Sequence, residues 1–141
     1  MDVREQGLRL VREMIPAAVV DFDRDFDHDG FGSELSELAL ANVFGRLWTR
    51  DGLDRRSRSL VTLGMLIALG ASEELRIHFA VARRNGLTRE ELEEVVYHAT
   101  GYAGFPRATA AYRVAREVFD APSDVEGDQP EHESFPDPGR R

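Results

Sequence analysis

Glu74 and His78 are the two residues of this sequence whose types and spacing best suit proton transfer. They lie four positions apart in the stretch ELRIHFAVARRNG, and residues with this spacing share one face of an α-helix. A carboxylate beside an imidazole fixes the tautomer of the ring and raises its pKa, which suits a general acid or base. The same pattern also fits a hydrogen-bonded histidine of the core or an ion pair on the helix surface.

Three arginines close to this pair in the sequence could bind the carboxylate of a substrate. They are Arg55, Arg58 and Arg76. A guanidinium group matches a carboxylate with two parallel hydrogen bonds, so arginine is well suited to that role. The alternative is a solvated charge on a helix or a salt bridge between subunits, and we expect this use for at least one of the three.

Helices must position these residues, because the chain up to residue 120 carries helical patterns. Apolar residues recur three and four positions apart in six segments, and none alternates convincingly between apolar and polar residues as a strand does. The sequence therefore predicts an all-α domain of about six helices. The inward residues predicted for the first helix are Val3, Gly7, Leu10, Val11, Met14 and Ile15. Those predicted for the second helix are Leu35, Leu38, Ala39, Val43 and Leu47, with Asn42 and Arg46 beside them.

Residues that favour helix ends divide the chain at the same places. The predicted N-caps, whose side-chain oxygens can accept a backbone N–H of the first turn, are Ser33, Asp54, Ser72 and Thr88. Gly70 and Gly86 fit the ends of helices, where glycine accepts the left-handed backbone conformation. Pro106 fits the first turn of the last helix.

The segment Leu60–Leu69 is apolar on nearly all sides of its predicted helix. Such a helix is either central in the fold or part of a subunit interface. One small subunit has too little surface to cover it completely, so we expect a homo-oligomer.

Composition excludes several classes of function. The net charge of −8 argues against nucleic acid and anionic membranes as partners, although a local arginine cluster could still attract a small acidic substrate. The chain has no cysteine, which excludes disulfides, thiolate metal sites and thiol-based redox chemistry. No apolar run has the length of a membrane span, and the N-terminus is too charged for a signal peptide, so we expect a cytoplasmic protein.

The composition changes near residue 121. Residues 121–141 are acidic, rich in proline and glycine and without periodicity, and we expect a disordered acidic tail there. Residues 1–120 are expected to form the single folded domain.

The acidic stretch DFDRDFDHDGFG resembles the start of a calcium-binding loop, with Asp25, Asp27, Asp29 and Gly30 at the first, third, fifth and sixth positions. The twelfth position requires a carboxylate that binds calcium through both oxygens, and Ser36 stands there instead. We therefore predict a solvated acidic loop in which Phe22 and Phe26 anchor the core, and no metal site.

Four longer stretches together resemble the carboxymuconolactone decarboxylase family, and most closely its 4-carboxymuconolactone decarboxylases. They are DFDRDF, LWTRDGLDRRSRSLVTLGMLIALG, EELRIHFAVARRNGLTREEL and GYAGFPRATAAYRVAREVF. The resemblance runs from residue 7 to about residue 120 in one register. It implies an AhpD-like helical subunit, assembly into trimers or hexamers, and decarboxylation of a lactone dicarboxylate from aromatic degradation without a cofactor.

The resemblance also implies roles for individual residues. His78 falls on a histidine that the related AhpD-like hydroperoxidases keep, while Glu74 takes the place of one of their cysteines. Arg58 and Arg76 match arginines of the family and are the preferred candidates for carboxylate binding. Tyr102 matches the family's YAG.P turn and could line the pocket, whereas His98 is expected to be structural.

Arg46 departs from the family, whose decarboxylases usually carry glutamate at this position in a Trp-Gly-Glu stretch. A cation in place of an anion beside the pocket would change how a carboxylated substrate binds. Three functions therefore remain open at this stage. The chain could be a cofactor-independent lactone decarboxylase, an isomerase or cyclase that applies enolate chemistry to another substrate, or a non-catalytic oligomeric member of the family.

Overall fold

The computed structural model describes residues 1–26 and 29–120, and within these ranges it is entirely helical. The elements are α1 (Val3–Met14), α2 (Phe22–Phe26), α3 (Ser33–Leu38), a π-helix that continues α3 (Ala39–Leu47), α4 (Arg55–Leu69), α5 (Ser72–Arg84), α6 (Arg89–Tyr102) and α7 (Phe105–Phe119). The predicted all-α class is confirmed. The short α2 is additional to the six predicted helices, and the predicted tail of residues 121–141 lies outside the described residues.

Two hydrophobic cores hold the helices together, and α5 contributes to both. Phe79 of α5 packs in the first core with residues of α4, α6 and α7, among them Leu63, Val96 and Ala111. Val81 of α5 packs in the second core with residues of α1 and the π-helix. His78 therefore lies on the helix that joins the two cores.

The stripe predicted for α1 is confirmed, since Gly7, Leu10, Val11, Met14 and Ile15 are buried and Val3 is half-buried. Close contact between backbones explains the glycine in this stripe. A Cβ atom on Gly7 would overlap the carbonyl oxygen of Leu40, and one on Gly45 would overlap that of Val3. Glycine at both positions thus lets α1 lie directly against the π-helix.

The inward face predicted for the second helix is wrong. Leu35, Leu38, Val43 and Leu47 are exposed, and Ala39 is half-buried. The buried residues are Ser36, Leu40, Phe44, Gly45 and Trp48. Leu35 and Leu38 lie in α3, before the π-helix begins. For Val43 and Leu47 the reason is the π-helical segment, in which a backbone N–H reaches five residues back, as that of Trp48 does to the Val43 oxygen at 3.0 Å. This geometry turns a different set of side chains toward α1 than an α-helix would.

Two of the four predicted N-caps are confirmed. Asp54 accepts the backbone N–H of Ser57 at 2.7 Å, and Thr88 accepts that of Glu91 at 3.1 Å. Ser33 and Ser72 are instead the first residues of α3 and α5, which Gly32 and Ala71 precede without a side-chain cap. The left-handed Gly32 is itself the N-cap of α3, and the left-handed Gly70 ends α4 just before Ala71, the N-cap of α5. Both helices therefore begin one residue earlier than the pattern predicts.

Helix α4 is only half covered by the rest of the subunit. Leu63 and Ile67 are buried in the first core, whereas Val61, Met65 and Leu69 are exposed. The predicted central position therefore holds for one side of α4, and the other side is an open apolar surface in the subunit. No helix among the described residues is both long and apolar enough to cross a membrane.

Candidate active site

His78 is a buried side chain on α5, with 9% of its surface exposed. Its imidazole is stacked against the indole of Trp48, with 6.3 Å between ring centroids and 17° between ring planes. Both side chains line one cavity of about 230 Å³. The remaining residues of this cavity come from the π-helix, from the turn after it and from α4, and they are Val43, Leu47, Leu53, Arg58, Val61 and Thr62.

Burial lowers the pKa of His78 from 6.5 to about 4, because the imidazolium would lose its hydration. The ring is therefore neutral at pH 7. Its Nδ1 atom is buried and has no hydrogen-bond partner among the described residues. A neutral imidazole with an unsatisfied nitrogen can accept a proton from a bound ligand or a hydrogen bond from a water molecule.

The structure does not pair His78 with Glu74. Glu74 is exposed in the first turn of α5 and makes no hydrogen bond with the imidazole. A carboxylate is more stable in water and near the positive end of a helix than against an apolar wall. The shift of the His78 pKa is accordingly downward, opposite to the direction expected for a histidine paired with a carboxylate.

Arg58 is the arginine that the structure places beside His78. Its Nε atom donates to the Leu53 carbonyl at 3.2 Å, and its Nη2 atom donates to the Arg50 carbonyl at 2.9 Å. These two backbone contacts fix the guanidinium at the cavity wall. No hydrogen bond from its Nη1 amine is found among the described residues, so Arg58 can offer the N–H groups of that amine to a substrate anion while Nε and Nη2 remain on the backbone.

The other arginine candidates lie elsewhere. Arg76 donates to Glu73 at 3.0 Å and to Glu117 of α7 at 2.5 Å, and these carboxylates, chiefly Glu117, raise its pKa. Arg55 donates to Glu13 of α1 at 2.9 Å. Both therefore form ion pairs within the subunit, between or within helices, rather than salt bridges to another subunit.

Arg46 and Tyr102 also lie outside the cavity lining. Arg46 is exposed and donates to the Asn42 side chain at 2.9 Å, although its neighbours on the π-helix, Val43 and Leu47, do line the cavity. Tyr102 is 86% exposed near the end of α6 and stacks on His98, with 5.0 Å between centroids. This pair borders a separate groove of about 630 Å³ between α4 and α6.

Thr62 and Trp48 are cavity residues that sequence reasoning did not select. Thr62 lies four residues after Arg58, so the helical spacing that linked Glu74 with His78 could have identified it. Trp48 is both buried and part of the cavity.

The acidic loop is described only in part, because residues 27 and 28 lie outside the described ranges. Ser36 donates its hydroxyl to the Asp25 carbonyl at 2.8 Å, which holds the loop against α3. Within the described residues, no three potential ligands from the types His, Asp and Glu come together in a metal site.

Comparison with known proteins identifies the family to which this chain belongs. The model of the carboxymuconolactone decarboxylase family matches residues 34–117. A 4-carboxymuconolactone decarboxylase from Acinetobacter baylyi is 39% identical over 115 residues, which cover 82% of this chain and 85% of the relative. Nitrosuccinic acid decarboxylase npaB from Metarhizium robertsii is 38% identical over 106 residues, which cover 64% of this chain and 74% of the relative.

The matched residues include every element around the His78 cavity. This helical subunit therefore belongs to the carboxymuconolactone decarboxylase family, and the resemblance seen in the sequence is confirmed. Within the family it is a carboxy-lyase of the carboxymuconolactone decarboxylase type, since both of these relatives are named decarboxylases. The alternative of a non-catalytic family member is thus set aside.

Proposed function

We propose that this protein is a cofactor-independent decarboxylase that acts on a carboxylated lactone of the 4-carboxymuconolactone kind in the His78 cavity. The observation that carries the proposal is that a fixed cation, Arg58, and a neutral imidazole, His78, line the same apolar cavity. The identity to the Acinetobacter enzyme supports the choice of substrate.

Loss of CO₂ breaks a carbon–carbon bond and leaves an electron pair that delocalises into the lactone carbonyl as an enolate. Arg58 stabilises the negative charge, first on the carboxylate and then on the enolate oxygen. A proton must replace the lost carboxylate on carbon. An anionic substrate in the cavity raises the pKa of His78, so the ring takes up a proton with the substrate and then delivers it to that carbon.

A small nitro-substituted carboxylic acid is the second candidate substrate, because one relative is named nitrosuccinic acid decarboxylase. A nitro group accepts the electron pair of the breaking bond in the same way as a lactone carbonyl does. Arg46 was the reason to consider isomerase or cyclase chemistry, and its exposed position beside Asn42 gives that alternative no support from the cavity.

We further propose a homo-oligomer, a trimer or a hexamer, located in the cytoplasm. The exposed leucines and methionine of the π-helix and α4 support the assembly, because a lone subunit would leave them in water.

Matched variants test the function with 4-carboxymuconolactone as substrate, by its ultraviolet absorbance and by release of CO₂. His78→Ala should fold and lose about 10²–10⁴-fold in kcat, since it removes the proton-transfer group. Arg58→Gln should lose activity strongly, while Arg76→Gln and His98→Ala should stay close to the parent protein. Parental turnover by His78→Ala, or a loss in Arg76→Gln without one in Arg58→Gln, would contradict the proposed site.

A further inference from the structure

Trp48 is the single tryptophan of the chain and is 7% exposed. It lies directly after the π-helix, where its backbone N–H donates to the Val43 carbonyl at 3.0 Å. The next residue, Thr49, donates its hydroxyl to the Gly45 carbonyl at 2.6 Å. Gly45 in turn lies against the backbone of α1, so hydrogen bonds and close packing fix the backbone that carries the indole.

The environment of His78 lacks the usual means of orienting an imidazole. A histidine that transfers protons is commonly held by a hydrogen bond from its other nitrogen to a carboxylate or carbonyl. Here Nδ1 is buried without such a partner among the described residues, and Glu74 is exposed. The near-parallel ring of Trp48 is the aromatic contact that covers one face of the imidazole.

We propose that Trp48 is the positioning residue of His78, whose indole holds the imidazole plane toward the cavity and keeps water from one face of the ring. This inference rests on the proposed function, in which His78 transfers the proton. Stacking thus replaces the hydrogen bond that normally orients a catalytic histidine.

The charges around His78 are consistent with this role. Arg58 of α4 is the charged side chain among the described residues that line the same cavity, and burial of the ring, not this charge, lowers the pKa of His78. Glu74 on the same helix is exposed and makes no contact with the ring. The lowered pKa of His78 therefore depends on the apolar covering to which Trp48 contributes.

The first experiment measures the pKa of His78 by NMR of the imidazole Cε1–H resonances, assigned by comparison with His78→Gln. Trp48→Leu should raise this pKa from about 4 toward 6.5, and Trp48→Phe should restore most of the parental value. Phe44→Leu is the matched control, because Phe44 is a buried aromatic residue of the same π-helix that does not line the cavity. An unchanged pKa in a folded Trp48→Leu protein would overturn the inference.

Activity gives a second readout. Trp48→Leu should lower kcat by about 10-fold to 100-fold, because a misplaced proton donor transfers poorly. It should also move the alkaline limb of the kcat profile upward, because His78 donates its proton from the charged form and its pKa rises in this variant. Phe44→Leu should leave the shape of the profile unchanged. Full turnover by His78→Ala would overturn the proposed function instead, so the two failures are distinguishable.

The parent protein provides a test even if Trp48→Leu fails to fold. Because the chain has one tryptophan, its fluorescence reports the neighbourhood of Trp48 alone. We expect the emission to be quenched as His78 becomes protonated in acid, and His78→Gln to lack this transition. Fluorescence that does not follow the titration of His78 would contradict the proposed stacking.

Discussion

At the scale of single residues, the candidate site combines a cation with a neutral imidazole, and no carboxylate is among the described residues that line it. Arg58 is fixed by two backbone carbonyls, and His78 is surrounded mainly by apolar side chains. Such a cavity favours an anion, because an incoming negative charge gains the attraction of Arg58 and meets no like charge in the lining. The geometry therefore selects for a substrate carboxylate rather than for a cationic or neutral ligand.

The lowered pKa of His78 predicts a specific loss of stability in acid. Between pH 6.5 and pH 4 the unfolded chain binds a proton at this residue and the folded chain does not, so stability falls as the pH falls through this window. At pH 5 the loss from His78 is about 2 kcal/mol. His78→Gln should therefore lose less stability than the parent between pH 7.5 and pH 5 in urea unfolding. His98→Gln, the exposed control, should behave as the parent does, and equal acid sensitivity of all three proteins would contradict a buried neutral His78.

At the scale of the helices, the sequence predicted some features and missed others for identifiable reasons. The caps Asp54 and Thr88 and the apolar stripe of α1 depend only on residues close in the sequence, so they could be predicted directly from it. The π-helix could not, because apolar spacing does not reveal whether a backbone N–H reaches four or five residues back. That ambiguity accounts for the wrong inward prediction of Val43 and Leu47, and it left the position of Trp48 at the cavity unpredicted.

The contact between α1 and the π-helix predicts a large effect of a small substitution. Gly7→Ala or Gly45→Ala places a methyl group against a backbone carbonyl, which cannot move as a flexible side chain can. We expect each to lower the free energy of unfolding by about 1–3 kcal/mol or more. Gly101→Ala is the control, because no atom lies within 4 Å of its Cβ position and alanine favours the helix. Urea midpoints measure all three, and a stable Gly7→Ala protein would contradict the backbone contact.

At the scale of the whole molecule, the apolar surface and the cavity share residues. Val43, Leu47, Leu53 and Val61 line the cavity and are also exposed in the subunit. The pattern of the isolated sequence predicted an apolar α4 but not which of its sides would remain open. The residues that a second subunit would bury cannot be predicted from one sequence, because their burial depends on surfaces that meet only in the assembly.

The open side of α4 predicts an oligomer that one charge should weaken. Light scattering at micromolar concentration should give a small multiple of the 15.9 kDa subunit. Met65→Lys should shift the protein toward smaller species, because Met65 is 62% exposed among other apolar residues and a lysine there would have to be desolvated. Gln6→Lys adds the same charge at an exposed polar position of α1 and should leave the assembly unchanged. A parent protein that scatters as a monomer would refute this expectation.

The single cation of the cavity also has a consequence for how fast a substrate arrives. The chain as a whole carries a net charge of −8, so a dicarboxylate diffusing toward it meets repulsion until it comes close to Arg58. Dissolved salt screens charges beyond about 10 Å at 0.1 M and therefore weakens the distant repulsion more than the contact with Arg58. Substrate capture should thus become faster as sodium chloride is added, the reverse of an enzyme that draws its substrate in electrostatically. A series of kcat/KM values between low and physiological ionic strength would reveal this, and a decrease with salt would mean that attraction by Arg58 extends farther than the repulsion of the acidic surface.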